Sequence, residues 1–413
     1  MSARSLENRR TPSASLAIDN LRAIVILLVL AFHSVLAYLN FLPTTPYPFD
    51  LPPYLWRAVP IIDSKRWFGF DLFCAWQDIF LISLFFFLSG LFVWPSLRRK
   101  GVLRFLHDRF VRIGLPCVLV VAFLMPLASY ATYLQTGGDP GLADFWRHWR
   151  ALPFWPCGPM WFLWLLLAAD CALAGLRLFA PHSADAVVRL SSWAGDNPIR
   201  LFASLSIASA LAYVPMALAF TPSAWASYGP FSFQLSRPLH YAVYFVAGIG
   251  VGAHGIERGM FAPSGRLARS WALWLTAALT LFSVWIGLSA LVMAASGAPS
   301  LELQILDDLS FVVACLSSCI CVLAVVLRFA GKASAALDSI RTNAYGMYLV
   351  HYLFVVWLQY VLLGAELPAL IKGALVFCGT LALSWGAVAT ARHLRWAAGP
   401  MIAVDRVRDS RAA

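Results

Sequence analysis

Apolar residues in this chain of 413 residues gather in about ten runs of roughly 20, the length a helix needs to cross ~30 Å of hydrocarbon. The runs fall near 21–41, 78–97, 113–133, 159–177, 201–220, 239–256, 271–295, 308–327, 343–363 and 371–390. The predicted fold is therefore all-α, a polytopic membrane protein of about ten transmembrane helices. A membrane domain over 21–390 is flanked by a segment 1–20 and a tail 391–413, whose polar end, 404–413, reads as frayed. The apolar run beginning at Leu21 is too long for a signal-peptide core and lacks a small-residue cleavage site, so it is expected to stay as the first span.

Composition narrows the class. Sixty-one per cent of the residues are hydrophobic and 12% are charged, about half the charged share of a soluble domain, which argues against a water-soluble enzyme. The net charge of +11 is placed unevenly, with 24 of the 31 lysines and arginines on one side of the ten-span topology. The positive-inside rule then predicts that both termini are cytoplasmic. Acidic residues divide almost evenly, and no basic tract is interleaved with stacking aromatics, so no nucleic-acid partner is expected. The longest non-spanning stretches, 42–77 and 134–158, lie on the opposite side. The first is rich in proline and aromatics and reads as a folded cap at the membrane boundary. No internal repeat of the kind common in secondary transporters is visible. The eight cysteines lack metal or redox spacing: Cys315, Cys319 and Cys321 read as small core residues, and Cys74 and Cys157 are expected to stay unpaired. No metal site is predicted.

Ionisable residues inside apolar runs are costly and usually functional. In IDNLRAIVILLVLAFHSVL, Arg22 and His33 are eleven positions apart. At 100° per residue they share a face, separated by roughly 16.5 Å along the axis. One reading makes them the two ends of a site for a long, thin ligand, with an anionic head at the arginine and a reactive end at the histidine. The other has Arg22 snorkelling to lipid phosphate and His33 hydrogen-bonding a neighbouring helix. Ser89 and Gly90, in FFFLSGLFVW, are small residues that let helices approach closely. Arg109 and Arg112, in DRFVRIGLP, are three apart and predicted to share a helical face, where two guanidinium forks suit phosphate. His351, in NAYGMYLVH, is expected at about the depth of His33 and Ser89. Asp170 reads as a helix-pairing or snorkelling residue. Asp307 and Asp308 lie at the outer end of the eighth run and read as an exposed helix start.

The succession DNLRAIVILLVLAFH, FFFLSGLFVW, DRFVRIGLP, GPMWFL, HYAVYFVAGIGVG and NAYGMYLVH resembles the acyltransferase-3 family of integral-membrane acyltransferases over residues 17–390. The resemblance implies a multi-pass protein of the bacterial cytoplasmic (inner) membrane. It also implies transfer of an acyl group of the acetyl or succinyl class, from a cytoplasmic acyl-CoA to a hydroxyl of an extracytoplasmic glycan or lipid. By the same resemblance His33 is the catalytic residue, and Arg22, Arg109 and Arg112 serve donor binding or assembly. Ser89, His351, Trp161 and Asp19 are expected as substrate-binding or supporting residues. Many polysaccharide O-acetyltransferases of the family carry WSLxxE in the fourth span. Here Trp161 is followed by Phe162 and Leu163, and Leu166 stands at the glutamate position, so that carboxylate's role does not carry over. The WFL form looks more like the branch containing the glucan succinyltransferases (glucans biosynthesis protein C). A transporter or flippase using the same polar interior, without its own chemistry, is the alternative function.

Overall fold

The computed structural model of the protein describes residues 14–182, 185, 186, 188, 189, 197–229, 231–255, 259–262 and 264–409. Most of the predicted segment 1–20 and the last residues of the predicted tail lie outside these. Each of the ten apolar runs is helical. The helices are α1 (Ala14–Val35), α2 (Phe68–Lys100), α3 (Val102–Gln135, with two wider turns), the short α4 (Leu142–Ala151), α5 (Trp161–Phe179), α6 (Pro198–Phe220), α7 (Pro238–His254), α8 (Trp271–Ala294), α9 (Leu301–Phe329), α10 (Ala335–Val361) and α11 (Ala369–Asp409). A short antiparallel hairpin, β1 (Trp225–Tyr228) and β2 (Phe231–Gln234), precedes α7. The last helix continues through Asp409 instead of fraying after 404.

Among the described residues, eight helices are long and apolar enough to cross a membrane, against the ten expected. The two that fall short are informative. The apolar stretch of α7, Pro238–Ala253, is short. The 27-residue α10 is long enough but interrupts its apolar surface with Asn343, His351 and Gln359, all buried. Both helices bury their special residues against neighbours and so need less lipid-compatible surface. The apolar segments of α1, α2 and α9 are mostly buried, whereas α8 and α11 leave most of their apolar surface uncovered, as lipid-facing helices do.

The seam between α2 and α7 is made of glycine. A Cβ on Gly90 would lie 2.2 Å from the Phe245 carbonyl oxygen, one on Gly248 2.1 Å from that of Phe87, and one on Gly252 2.0 Å from that of Leu91. The small-xxx-small spacing of Gly248 and Gly252 puts two backbones in direct contact, where lipid offers no hydrophobic drive for association.

The cap expected over 42–77 is folded, although residues 68–77 belong to α2. Trp56 stacks on Phe49 at 4.7 Å and donates its indole N–H to the Phe49 carbonyl. Gln135 exchanges hydrogen bonds with the backbone of Ile62. Arg57 donates to Ser227 and Ser232 of the hairpin. A buried ion pair anchors the cap to the helices: Lys372 Nζ lies 2.6 Å from Asp63 Oδ2, both side chains fully buried, while the Asp63 N–H donates to the Ala37 carbonyl just beyond α1. Cys74 and Cys157 are free, and Cys315, Cys319 and Cys321 are buried in the core. Asp307 and Asp308 differ from expectation. The Ser300 hydroxyl caps α9 seven residues before Asp307, so the pair lies beyond the first turn. There Asp308 is 4% exposed and Asp307 accepts from Ser289 Oγ at 2.7 Å.

Replacing Gly248 with alanine is expected to cost about 1–3 kcal/mol by forcing α2 and α7 apart. Lys372→Met, which strands the Asp63 carboxylate, is expected to cost about 3–5 kcal/mol, most of it recovered in Lys372→Met/Asp63→Leu. Thermal unfolding of the detergent-solubilised protein reads both.

Candidate active site

Two parallel helices bring the polar interior together. α1 is helical throughout from Ala14 to Val35, so the eleven-residue spacing of Arg22 and His33 survives as a straight run. α10 lies beside it and carries His351. The imidazole rings of His33 and His351 are 5.2 Å apart, tilted by 44°. Tyr352 meets His33 edge-on at 5.5 Å, and Phe32 does so at 5.2 Å. His351 is fully buried, and its Nδ1 lies 2.6 Å from the Tyr348 carbonyl oxygen. A carbonyl only accepts, so Nδ1 of His351 carries the proton and Nε2 of the neutral ring is a bare lone pair. That Nε2 is buried without a partner, and so is Nδ1 of the half-buried His33.

The two helices are pinned at both ends. Asp19 bridges Arg22 at 3.9 Å and Arg341 of α10 at 3.8 Å. At the far end, the Gln359 amide donates to the carbonyls of His33 and Ser34. Asn20 ties the start of α1 to the Ala330 and Lys332 carbonyls after α9. Beside the histidines, the turn at Gly158–Met160 closes in: the Tyr348 hydroxyl donates to the Pro159 carbonyl, and Gly158, at φ +49°, leaves room for Tyr352.

The predicted arginines separate. Pro116 in RIGLP cannot donate a backbone bond, and the chain takes a wide π turn over Phe110–Gly114 just before it. The same pairing of wide turn and proline recurs at Val120–Leu124 and Pro126. The extra residue in the turn breaks the three-residue stacking on which a shared face depends. Arg109 Nε turns inward to Asp170 Oδ2 at 3.2 Å, and its guanidinium lies over the Phe105 ring. Arg112 is exposed. Asp170, fully buried on α5, is thus a helix-pairing residue. Arg22 lies over the Phe92 ring of α2 at 4.5 Å.

Of the remaining candidates, Ser89 is half-buried on α2 and makes no hydrogen bond to either histidine. Trp161 packs edge-on against Trp225 of the hairpin and faces Tyr241, on the capped side. Tyr348, Tyr352, Gln359, Gly158 and Pro159 were not singled out from sequence. The motifs GPMWFL and NAYGMYLVH contain three of them, but only the fold shows that the two motifs touch.

Residues 15–389 match the family model described as an acyltransferase domain, from the start of α1 to within α11. The chain belongs to the acyltransferase-3 family. Neither the curated proteins nor the solved structures provide a match. Acyltransferase-3 membership makes the protein a membrane acyltransferase, and the family segment takes in the histidine pair, the Arg109–Asp170 pair and the Gly158 turn.

Gly158→Ala is expected to cost about 1–2 kcal/mol through its left-handed backbone. It would also push Tyr352 toward the histidines, since its Cβ would meet Tyr352 at 3.2 Å and Met125 Sδ at 2.7 Å. A thermal melt together with a turnover assay checks both effects.

Proposed function

We propose that the protein moves an acetyl or succinyl group from a cytoplasmic acyl-CoA to a hydroxyl of an extracytoplasmic glycan or glycolipid, in the bacterial cytoplasmic membrane. The observation that carries this reading is the His33–His351 pair inside the helix bundle, on a helix whose basic end presents Arg22 some 16.5 Å away, by about 1.5 Å per residue. A thioester on a long phosphorylated arm matches that separation between anion site and reactive site.

In this reading the donor's phosphates lie at Arg22, Arg109 and Arg112. Arg109 meets Asp170 through its Nε, and its terminal nitrogens are assigned to phosphate in this scheme. The exposed Arg112 meets the more distal charge, and Asp19 holds Arg22 in place. The pantetheine arm rises beside α1 until its thioester reaches His33. The acceptor comes from the capped side, past Trp161 and the aromatic hairpin. Neutral His33 takes the proton of the acceptor hydroxyl as its oxygen attacks the thioester carbonyl. The C–S bond breaks, the ester forms, and the proton passes to the departing thiolate as free CoA. A two-step course through an acyl-imidazole on His33 uses the same atoms. Ser89, next to Gly90 of the glycine seam, supports helix packing in this scheme.

His33→Ala is expected to abolish release of free CoA from acetyl-CoA and succinyl-CoA in proteoliposomes supplied with de-acylated envelope glycan, while the protein still inserts. Arg22→Ala is expected to raise KM for the donor by about tenfold, the loss of one charge-assisted contact of about 1.4 kcal/mol. Movement of glycan across the vesicle without thioester consumption would favour the transporter reading instead.

A further inference from the structure

We infer that His351 is a positioning residue for His33: its Nε2 accepts the proton-bearing Nδ1 of His33 in the reacting state, so that Nε2 of His33 is the atom that works on the acceptor. This rests on the reading of His33 given above and assigns the neighbour that sets its chemistry.

Three observations converge. The first is tautomer. Nδ1 of His351 is committed as a donor to the Tyr348 carbonyl at 2.6 Å, so its Nε2 accepts and does not donate. The second is unmet demand. Nε2 of His351 and Nδ1 of His33 are both buried without partners, and an unpaired polar atom in such a setting is costly. The third is proximity, with ring centroids 5.2 Å apart. A rotation that turns the two orphans toward each other joins them, the kind of tightening that catalytic hydrogen bonds undergo on substrate binding. His351 is fully enclosed, which suits a group that touches another residue and not the substrate. His33 keeps partial exposure, as the group that meets substrate must.

The result is a relay in one direction. The Tyr348 carbonyl accepts from Nδ1 of His351, Nε2 of His351 accepts from Nδ1 of His33, and Nε2 of His33 accepts the acceptor's hydroxyl proton. His33 becomes an imidazolium as the oxygen attacks, and the lone pair on His351 stabilises its Nδ1–H. The transferred proton then leaves from Nε2 of His33 to the thiolate, which restores both neutral rings. No oxidant, metal or added base enters. This is the logic by which a third group orients a catalytic histidine, with a neutral imidazole where a carboxylate often stands. A carboxylate would add a second buried charge next to the pair, and the backbone carbonyl of Tyr348 ends the chain without one.

The test compares His351→Gln, His351→Asn and His351→Leu with the wild type and His33→Ala, with acetyl-CoA or succinyl-CoA as donor and de-acylated envelope glycan as acceptor. Glutamine keeps an acceptor near the Nε2 position. Asparagine keeps a donor near Nδ1 but no acceptor at Nε2, and leucine keeps only volume. The expected result is a kcat lowered about a hundredfold or more in the leucine and asparagine variants, with donor KM within about threefold, and recovery to within about tenfold of wild type in the glutamine variant. Leucine turnover within about threefold of wild type, alongside an inactive His33→Ala, overturns the relay and leaves His33 standing. Equal activity of the glutamine and asparagine variants, each still binding acyl-CoA, also overturns it, and this comparison holds even where the leucine variant does not fold. An active His33→Ala removes the reading on which the relay rests.

Discussion

A polar group inside a helix bundle in lipid has no water to fall back on, and this constraint organises the molecule. Asp170 is buried on α5 and meets Arg109. Lys372 is buried on α11 and meets Asp63 from the cap. Asn20, near the start of α1, donates to carbonyls after α9, and Gln359 donates to carbonyls at the end of α1. Each pairing joins elements far apart in sequence, so satisfying the polar groups also sets the helix arrangement. His33 Nδ1 and His351 Nε2 are among the buried polar atoms left without a partner, and they belong to two imidazole rings only 5.2 Å apart.

The helix packing follows a second economy. Apolar side chains gain nothing by leaving lipid for another helix, so close association depends on backbone contact and interhelical bonds. Gly90, Gly248 and Gly252 supply the contact between α2 and α7. With that seam closed, α2 presents Phe92 to Arg22 on α1, and α7 needs only a short apolar length. Peripheral helices such as α8 need no such features and carry almost none.

The sequence made the span positions legible because 20-residue apolar runs leave little choice of structure. It also made legible the alignment of Arg22 with His33, which depends only on one unbroken helix. It did not show that Arg109 and Arg112 part company, since the wide turn before Pro116 is a local departure from regular helix geometry. Nor did it show that Asp308 is buried, because α9 begins earlier than its apolar run. Burial depends on which helices lie alongside, and periodicity within one helix does not reveal its neighbours.

What the chain determined by itself was therefore whatever a single segment can encode: length, apolarity, the basic bias and the spacing of polar residues along α1. The tertiary structure decided every pairing: His33 with His351, Arg109 with Asp170, Lys372 with Asp63, and the Gly158 turn with Tyr348 and Tyr352. The physical reason is that backbone bonding within each helix is local, whereas a partner for a buried side chain comes from another helix. Only the assembled bundle brings that helix within reach.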